Sequence, residues 1–227
     1  EGLSAEVLSA YVNCAAPENV IMNTRAEDFD RALAYAGEIG ARRLVAWTGG
    51  YGAGLMSADA RNARPEARDA IRRFLEPRLK MLEAQRLTLA LETYITLVCP
   101  DAPGMKRLLD TLPAAVTAAM DPPNMTPVSR YRERDAALVE MMRLLGGRTG
   151  VVHLKDFRLA PDGRSYRLPG PLDGEMNYRL FAAETAKLPP GVPVLAEHIG
   201  PAEFARARER LLPLFEDQPQ KEKSASR

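Results

Sequence analysis

A chain of 227 residues, 46% of them hydrophobic, can bury one substantial core, and barrels of this length form single domains. Lys and Arg number 31 against 30 Asp and Glu, so neither sign is in excess to grip nucleic acid or a charged membrane surface, and a small-molecule partner is expected. No apolar run approaches the ~20 residues that span a bilayer, and no basic-then-apolar leader is present, so no membrane partner is expected.

Residues 6–12 (EVLSAYV) read as a strand that ends at the polar Asn13 and Cys14. Cys14 and Cys99 are too few for a disulfide framework and fit no zinc spacing, which points to a reducing, cytoplasmic setting. A helix follows, its start marked by Thr24 with Glu27 three residues on, a capping box. Phe29, Leu33, Ala36 and Ile39 recur at helical spacing as far as Gly40, a C-terminal stop. Residues 43–47 (RLVAW) are the next strand and run into the glycine-rich loop 49–54. That loop either cradles a phosphate or serves as a flexible lid; its spacing matches no nucleotide-binding pattern, and no helix starts straight after it.

Residues 65–85 are helical, with Pro65 in the first turn and Pro77 as a kink. Residues 87–92 (LTLALE) form a strand whose last residue is a carboxylate. A short helix over 103–112 precedes a strand over 115–121 that ends at Asp121, where Pro122 and Pro123 bar a helix from continuing. Residues 130–145 are helical and stop at Gly146 and Gly147. The strand at 151–155 then carries two β-branched residues into His153, Lys155 and Asp156. Residues 161–174 form an irregular loop, rich in Pro and Gly and long enough to suggest function. A helix over 176–187, a strand over 192–197 and a helix over 202–215 complete the pattern, and the polar tail 216–227 is expected to be disordered.

Strand then helix, repeated, is the signature of parallel βαβ units, and the six strands fit either an open doubly wound sheet or a (β/α)8 barrel. In a barrel, catalytic groups gather at the C-terminal ends of different strands. Four strands in succession end in Glu92, Asp121, His153 and Glu197, so a barrel would set three carboxylates and an imidazole on one rim. Like charges that close repel unless a cation neutralises them. A divalent metal is therefore the economical reading, and the oxygen-rich set with one imidazole suits Mn2+, Mg2+ or Co2+, with Zn2+ also within its reach. The plainer alternative makes the acids solvated strand caps and His153 a satisfied core histidine. The second histidine, His198, closes the 192–197 run in the same way.

Leu89-Ala90-Leu91-Glu92, Asp121 with Asn124 three residues on, His153-Leu154-Lys155-Asp156, the loop from Leu168-Pro169-Gly170 through Gly174, and Leu195-Ala196-Glu197 together resemble the sugar phosphate isomerase/epimerase family. That resemblance covers about residues 6–215. It implies a (β/α)8 TIM barrel of the xylose isomerase-like type, with Glu92, Asp121, His153 and Glu197 as metal ligands. Glu92 and Glu197 would be the proton-transferring pair, working through an ene-diolate on a sugar or sugar phosphate. With Glu92 on the fifth strand, the first two β/α units are absent, so residues 1–215 make a single partial barrel domain that lacks ~50 to 60 residues, at ~30 per unit. Epimerases of the family often carry His where this chain has Asn124, which can bind a hydroxyl but cannot titrate. Lys155 and Arg158 are candidates for negative charge on the substrate, although Lys155 could instead pair with Asp156 as scaffolding. Trp47 and Tyr94 could stack on a sugar face or simply pack beneath the loops. The same residues would serve a dehydratase or lyase, and a non-catalytic sugar-binding barrel stands as a third reading. The DNA-repair endonucleases of the superfamily need many histidines, and this chain has 2. A homodimer is the assembly that the resemblance suggests.

Overall fold

In the computed structural model, which describes residues 5–20 and 24–216, strands and helices alternate. β1 (Val7–Asn13), α1 (Ala26–Ala36) and β2 (Arg43–Trp47) open the chain. The helices α2 (Pro65–Leu75) and α3 (Leu79–Ala84) lead to β3 (Thr88–Glu92), and α4 (Ala102–Leu109) leads to β4 (Val116–Met120). After the one-turn α5 (Pro122–Met125), α6 (Arg134–Leu145) returns to β5 (Thr149–Leu154). A small antiparallel hairpin of β6 (Arg158–Leu159) and β7 (Tyr166–Arg167) precedes α7 (Tyr178–Thr185), β8 (Val194–Ala196) and α8 (Pro201–Glu216).

Among the described residues, β1, β2, β3, β4, β5 and β8 form one sheet in that order, and every neighbouring pair is parallel. Successive side chains of a strand point to opposite faces. On the outer face Leu44, Ala46, Leu89, Leu91, Met120 and Val152 pack against the helices, among them Phe29 and Leu33 of α1, Ile71 of α2 and Phe181 of α7. On the other face Val45, Ala90, Ala119 and Val151 form a cluster that Val7 and Leu195 also join. A flat sheet could not bring its first and last strands to one cluster. The sheet is therefore curled, and the architecture is a partial (β/α)8 barrel.

Several predicted boundaries shift for identifiable reasons. The helix expected from Thr24 starts one residue later, because the Arg25 backbone N–H donates to Asp28 Oδ2 at 3.0 Å, and the box slides by one position. Its end falls at Ala36, with Gly40 in the left-handed region (φ 75) closing the turn that follows. The helix over 65–85 is interrupted at the predicted Pro77 by a 3-10 turn, Glu76–Arg78. That over 130–145 starts at Arg134 after another 3-10 turn, Val128–Glu133. Pro122 and Pro123, expected to block a helix, begin α5: a first-turn N–H has no partner to lose, and Asp121 Oδ1 accepts the Asn124 N–H at 3.1 Å. The loop over 161–174 includes β7 rather than being wholly irregular. The expected tail lies outside the described residues except for Glu216, which ends α8. No helix among the described residues is long and apolar enough to cross a membrane.

Candidate metal centre

Alternation along the strands decides which side chains reach the barrel interior. Ala90, Ala119, Val151 and Leu195 face inward. Two residues further on stand Glu92, Asp121, His153 and Glu197, which face inward as well at the C-terminal rim. By the same parity Lys155 follows His153, Trp47 follows Val45, and Tyr11 continues the series from Val7.

His153 Nδ1 lies 3.4 Å from Glu92 Oε2, 3.5 Å from Asp121 Oδ2 and 3.3 Å from Glu197 Oε1. The four ligand-capable atoms sit within 4.8 Å of one another. Glu92, Asp121 and His153 are buried, and Glu197 opens toward solvent with its side chain 23% exposed. Glu92 Oε2, Asp121 Oδ2 and His153 Nδ1 have no hydrogen-bond partner among the described residues, and Asp121 Oδ2 is held by ion pairs to Lys155 and His153. One imidazole N–H cannot satisfy three carboxylate oxygens at once, whereas a cation at their centre can.

The Lys155 ammonium stands beside the cluster, 2.7 Å from Asp121 Oδ2, 3.1 Å from Glu197 Oε2 and 4.0 Å from Glu92 Oε1. With a neutral imidazole, three carboxylates and one ammonium leave two net negative charges, the amount a divalent ion cancels. The electrostatics of the protein alone show how strongly the cluster seeks positive charge. Burial alone would lower the His153 pKa, but the neighbouring carboxylates of Glu92, Asp121 and Glu197 push it up to about 10. Burial likewise opposes the charge on Lys155, yet Asp121, Glu92 and Glu197 hold it above its ordinary range. Burial raises the Glu92 carboxyl against the pull of His153. Asp121, also buried, is nevertheless held below the usual carboxylate range, chiefly by Lys155 and His153. The residues present therefore fit a divalent metal.

Glu92, Lys155 and Glu197 open onto a cavity of about 280 Å³ whose other walls are Tyr11, Trp47, Leu55, Met56, Asn124 and His198. Asn124 Nδ2 donates to Glu92 Oε1 at 2.7 Å and so steadies that carboxylate. Trp47 stacks on Tyr11, ring centroids 5.2 Å apart, and Tyr94 packs beside it with Leu97. Of the two aromatics considered for sugar stacking, Trp47 lines the cavity and Tyr94 does not. Arg158 is also outside it, exposed on the small hairpin. Lys155 does not pair with Asp156. The buried Asp156 instead accepts from the Phe157 N–H (2.8 Å), the Met176 N–H (2.9 Å) and the Tyr178 hydroxyl (2.7 Å).

The glycine-rich loop departs from the flexible-lid reading. Asn13 Oδ1 accepts the Gly50 N–H at 3.0 Å, Asn19 Nδ2 donates to the Gly52 carbonyl at 2.7 Å, and Asn62 Oδ1 accepts the Tyr51 N–H at 2.9 Å. Gly49 has φ 80 and lies so close to Asn13 that any Cβ would overlap it. The loop is a fixed wall that carries Leu55 and Met56 to the cavity. Tyr11 was not among the predicted site residues, and counting inward positions from Val7 is the signal that finds it. Its hydroxyl is held protonated, first by burial and then by Glu92 and Glu197.

A curled parallel sheet with an acid-and-imidazole cluster on its C-terminal rim defines a β/α barrel with a candidate metal site. The chain belongs to the xylose isomerase-like TIM barrels, whose family profile matches residues 1–214. No curated protein matches in sequence. Among solved structures it is similar to an L-ribulose 3-epimerase, with TM-score 0.61, 15% identity, and coverage of 92% of this chain and 67% of that one. It is also similar to the mannonate dehydratase of Streptococcus suis serotype 2, with TM-score 0.68, 9% identity, and coverage of 95% and 76%. A xylose isomerase-like TIM barrel protein from Mycobacterium smegmatis in complex with magnesium matches with TM-score 0.59, 16% identity, and coverage of 94% and 74%. The chain spans as little as 65% of the length of a matched structure.

Proposed function

We propose that the protein is a divalent-metal-dependent isomerase or epimerase of a sugar or sugar-phosphate-like ketose or aldose. The observation that carries this reading is the convergence of three carboxylate oxygens on His153 Nδ1 at 3.3–3.5 Å, with that nitrogen and Glu92 Oε2 left without hydrogen-bond partners. Glu92, Asp121, His153 and Glu197 would hold the ion, with Mn2+, Mg2+ or Co2+ preferred and Zn2+ accepted by the same donors. When bound, the ion would polarise a carbonyl and the adjacent hydroxyl, making the intervening C–H more acidic.

The protein's own groups supply the rest. Glu92 and Glu197 reach the cavity from β3 and from the end of β8, and they are the candidates to remove and return the proton. Asn124 orients the Glu92 carboxylate, while Lys155 steadies Glu197 through its contact with Oε2. Trp47 offers an aromatic face to the apolar side of a sugar ring. Buried free Cys14 and Cys99 support a reducing, cytoplasmic setting.

The test is to incubate Mn2+-loaded protein with a panel of ketopentoses and ketohexoses, with and without phosphate, in deuterated water. Deuterium at the carbon next to the carbonyl, with an isomer or epimer as product, is the expected result. No exchange with any sugar would remove the reading. A dehydratase is the second reading, supported by Lys155, a buried ammonium inside the cavity that could protonate a departing hydroxyl. Exchange accompanied by loss of water would select it.

A further inference from the structure

We propose that His198 is a substrate-binding residue whose Nε2 accepts a hydroxyl of the polyol bound beside Glu197; this rests on the sugar reading above. His198 follows Glu197 directly at the exit of β8 and forms part of the cavity wall. Its backbone has φ 55, the left-handed region that a residue with a Cβ enters at a cost. Such strain persists where the surroundings over-determine it, and functional sites are where it gathers.

Here the surroundings are specific. His198 Nδ1 lies 2.7 Å from the Leu168 carbonyl oxygen. Gly170 packs so tightly that a Cβ there would come within 2.7 Å of the His198 carbonyl oxygen. Leu168 itself packs on the cluster of Trp47, Tyr94 and Leu97, and the Asp156 N–H donates to the Pro169 carbonyl at 3.1 Å. The segment 168–170 is thus fixed from the β5 side, and the imidazole is fixed by the segment.

Chemistry then sets the ring's polarity. A carbonyl oxygen only accepts, so Nδ1 carries the proton, and in the neutral ring Nε2 is left as a bare acceptor. Asn124 repeats the pattern in the same cavity. Its Nδ2 donates to Glu92 Oε1, which fixes the amide's orientation and leaves Oδ1 buried without a partner. An oriented acceptor on the cavity wall, with a second unpartnered acceptor buried beside it, is matched by a filler that carries donors. Hydroxyl groups of a polyol supply them, whereas a phosphate dianion offers only acceptors. The part of the substrate that meets His198 and Asn124 is therefore an unphosphorylated polyol.

The experiment measures, by calorimetry, binding of the ketose panel to Mn2+-loaded full-length wild type and His198→Asn. The asparagine amide can take the place of Nδ1–H against the Leu168 carbonyl, and Asn tolerates the left-handed region, but Nε2 is gone. The expected result is an affinity about tenfold weaker for the ketose the wild type binds best, with Mn2+ affinity within about twofold and Tm within about 2 °C. Unchanged ketose affinity in His198→Asn would overturn the inference. Weaker ketose binding accompanied by equal loss of Mn2+ affinity or Tm would overturn it too, because the role would then be structural. A wild type that binds Mn2+ but none of the ketoses removes the sugar reading itself, and that result is read without the variant.

Discussion

Around His153 Nδ1 the three carboxylates differ in how they are held, and the difference predicts distinct losses. Glu92 is fastened by Asn124, and Asp121 is paired with Lys155 and caps α5, while Glu197 stands at the solvent side. Glu197→Gln should therefore leave the circular dichroism spectrum and Tm near wild type while abolishing deuterium incorporation; retained exchange would take Glu197 out of the proton transfer. The two thiols give a separate residue-level expectation. Burial pushes both Cys14 and Cys99 up to about 12. A thiol kept protonated in the fold but free to ionise when unfolded leaves stability constant below the ordinary value of ~8.5, then erodes it as the pH climbs toward 12. The urea midpoint should accordingly fall less steeply between about pH 8.5 and 10.5 in Cys14→Ala than in wild type, and equal slopes would refute this assignment. At this scale Glu92, Asp121, His153 and Glu197 were legible because each ends an apolar run. Tyr11 was not, since it sits inside a strand and only the inward parity from Val7 marks it. Arg158 lies outside the cavity because two residues past His153-Leu154-Lys155-Asp156 the chain has already turned onto the hairpin.

The stretch from β5 to α7 shows why element-level reading succeeded for strands and failed for the loop. Apolar alternation sets a strand's inner face from local sequence alone, whereas a loop's shape depends on partners far along the chain. Asp156 is that partner: its carboxylate gathers Phe157, Met176 and Tyr178, and Tyr166 of β7 packs its ring on Tyr131 and Phe157, with centroids 5.6 and 5.2 Å away. Inward parity from His153 separates Lys155 from this staple, but nothing in the run His153-Leu154-Lys155-Asp156 shows which distant groups Asp156 gathers. Asp156→Asn would set an amide NH2 against either the two N–H donors or the Tyr178 hydroxyl, and a buried donor left unpaired costs about 1–3 kcal/mol. Thermal unfolding should register that loss, and proteolysis within residues 157–177 should quicken, while Mn2+ affinity changes little. A variant as stable as wild type would show that the three hydrogen bonds to Asp156 contribute nothing net. The glycine-rich loop followed the same logic, since Asn13, Asn19 and Asn62 hold it from outside its own span.

For the molecule as a whole, the rim acids are a standing repulsion that a bound ion would relieve. Ligand that binds only the folded state at 100 times its Kd adds about 2.7 kcal/mol, which for a chain of this size corresponds to a rise in Tm of about 5–10 °C. Mn2+ should produce such a shift in wild type, EDTA should reverse it, and Asp121→Asn should respond weakly. Equal shifts in both proteins would place the ion elsewhere. The repeated strand and helix pattern was enough to predict parallel β/α architecture, but it fitted an open sheet equally well. Curling is written in the sizes of inward residues on six strands taken together, the small Ala90 and Ala119 opposite Val7 and Leu195, and no single segment displays it. The chain also contains 1 tryptophan, and that indole forms part of the cavity wall with its Nε1–H buried and unpartnered. Tryptophan emission from this protein is thus the signal of one address, and a guest that stacks on Trp47 or accepts its proton should change intensity and wavelength without any label being attached.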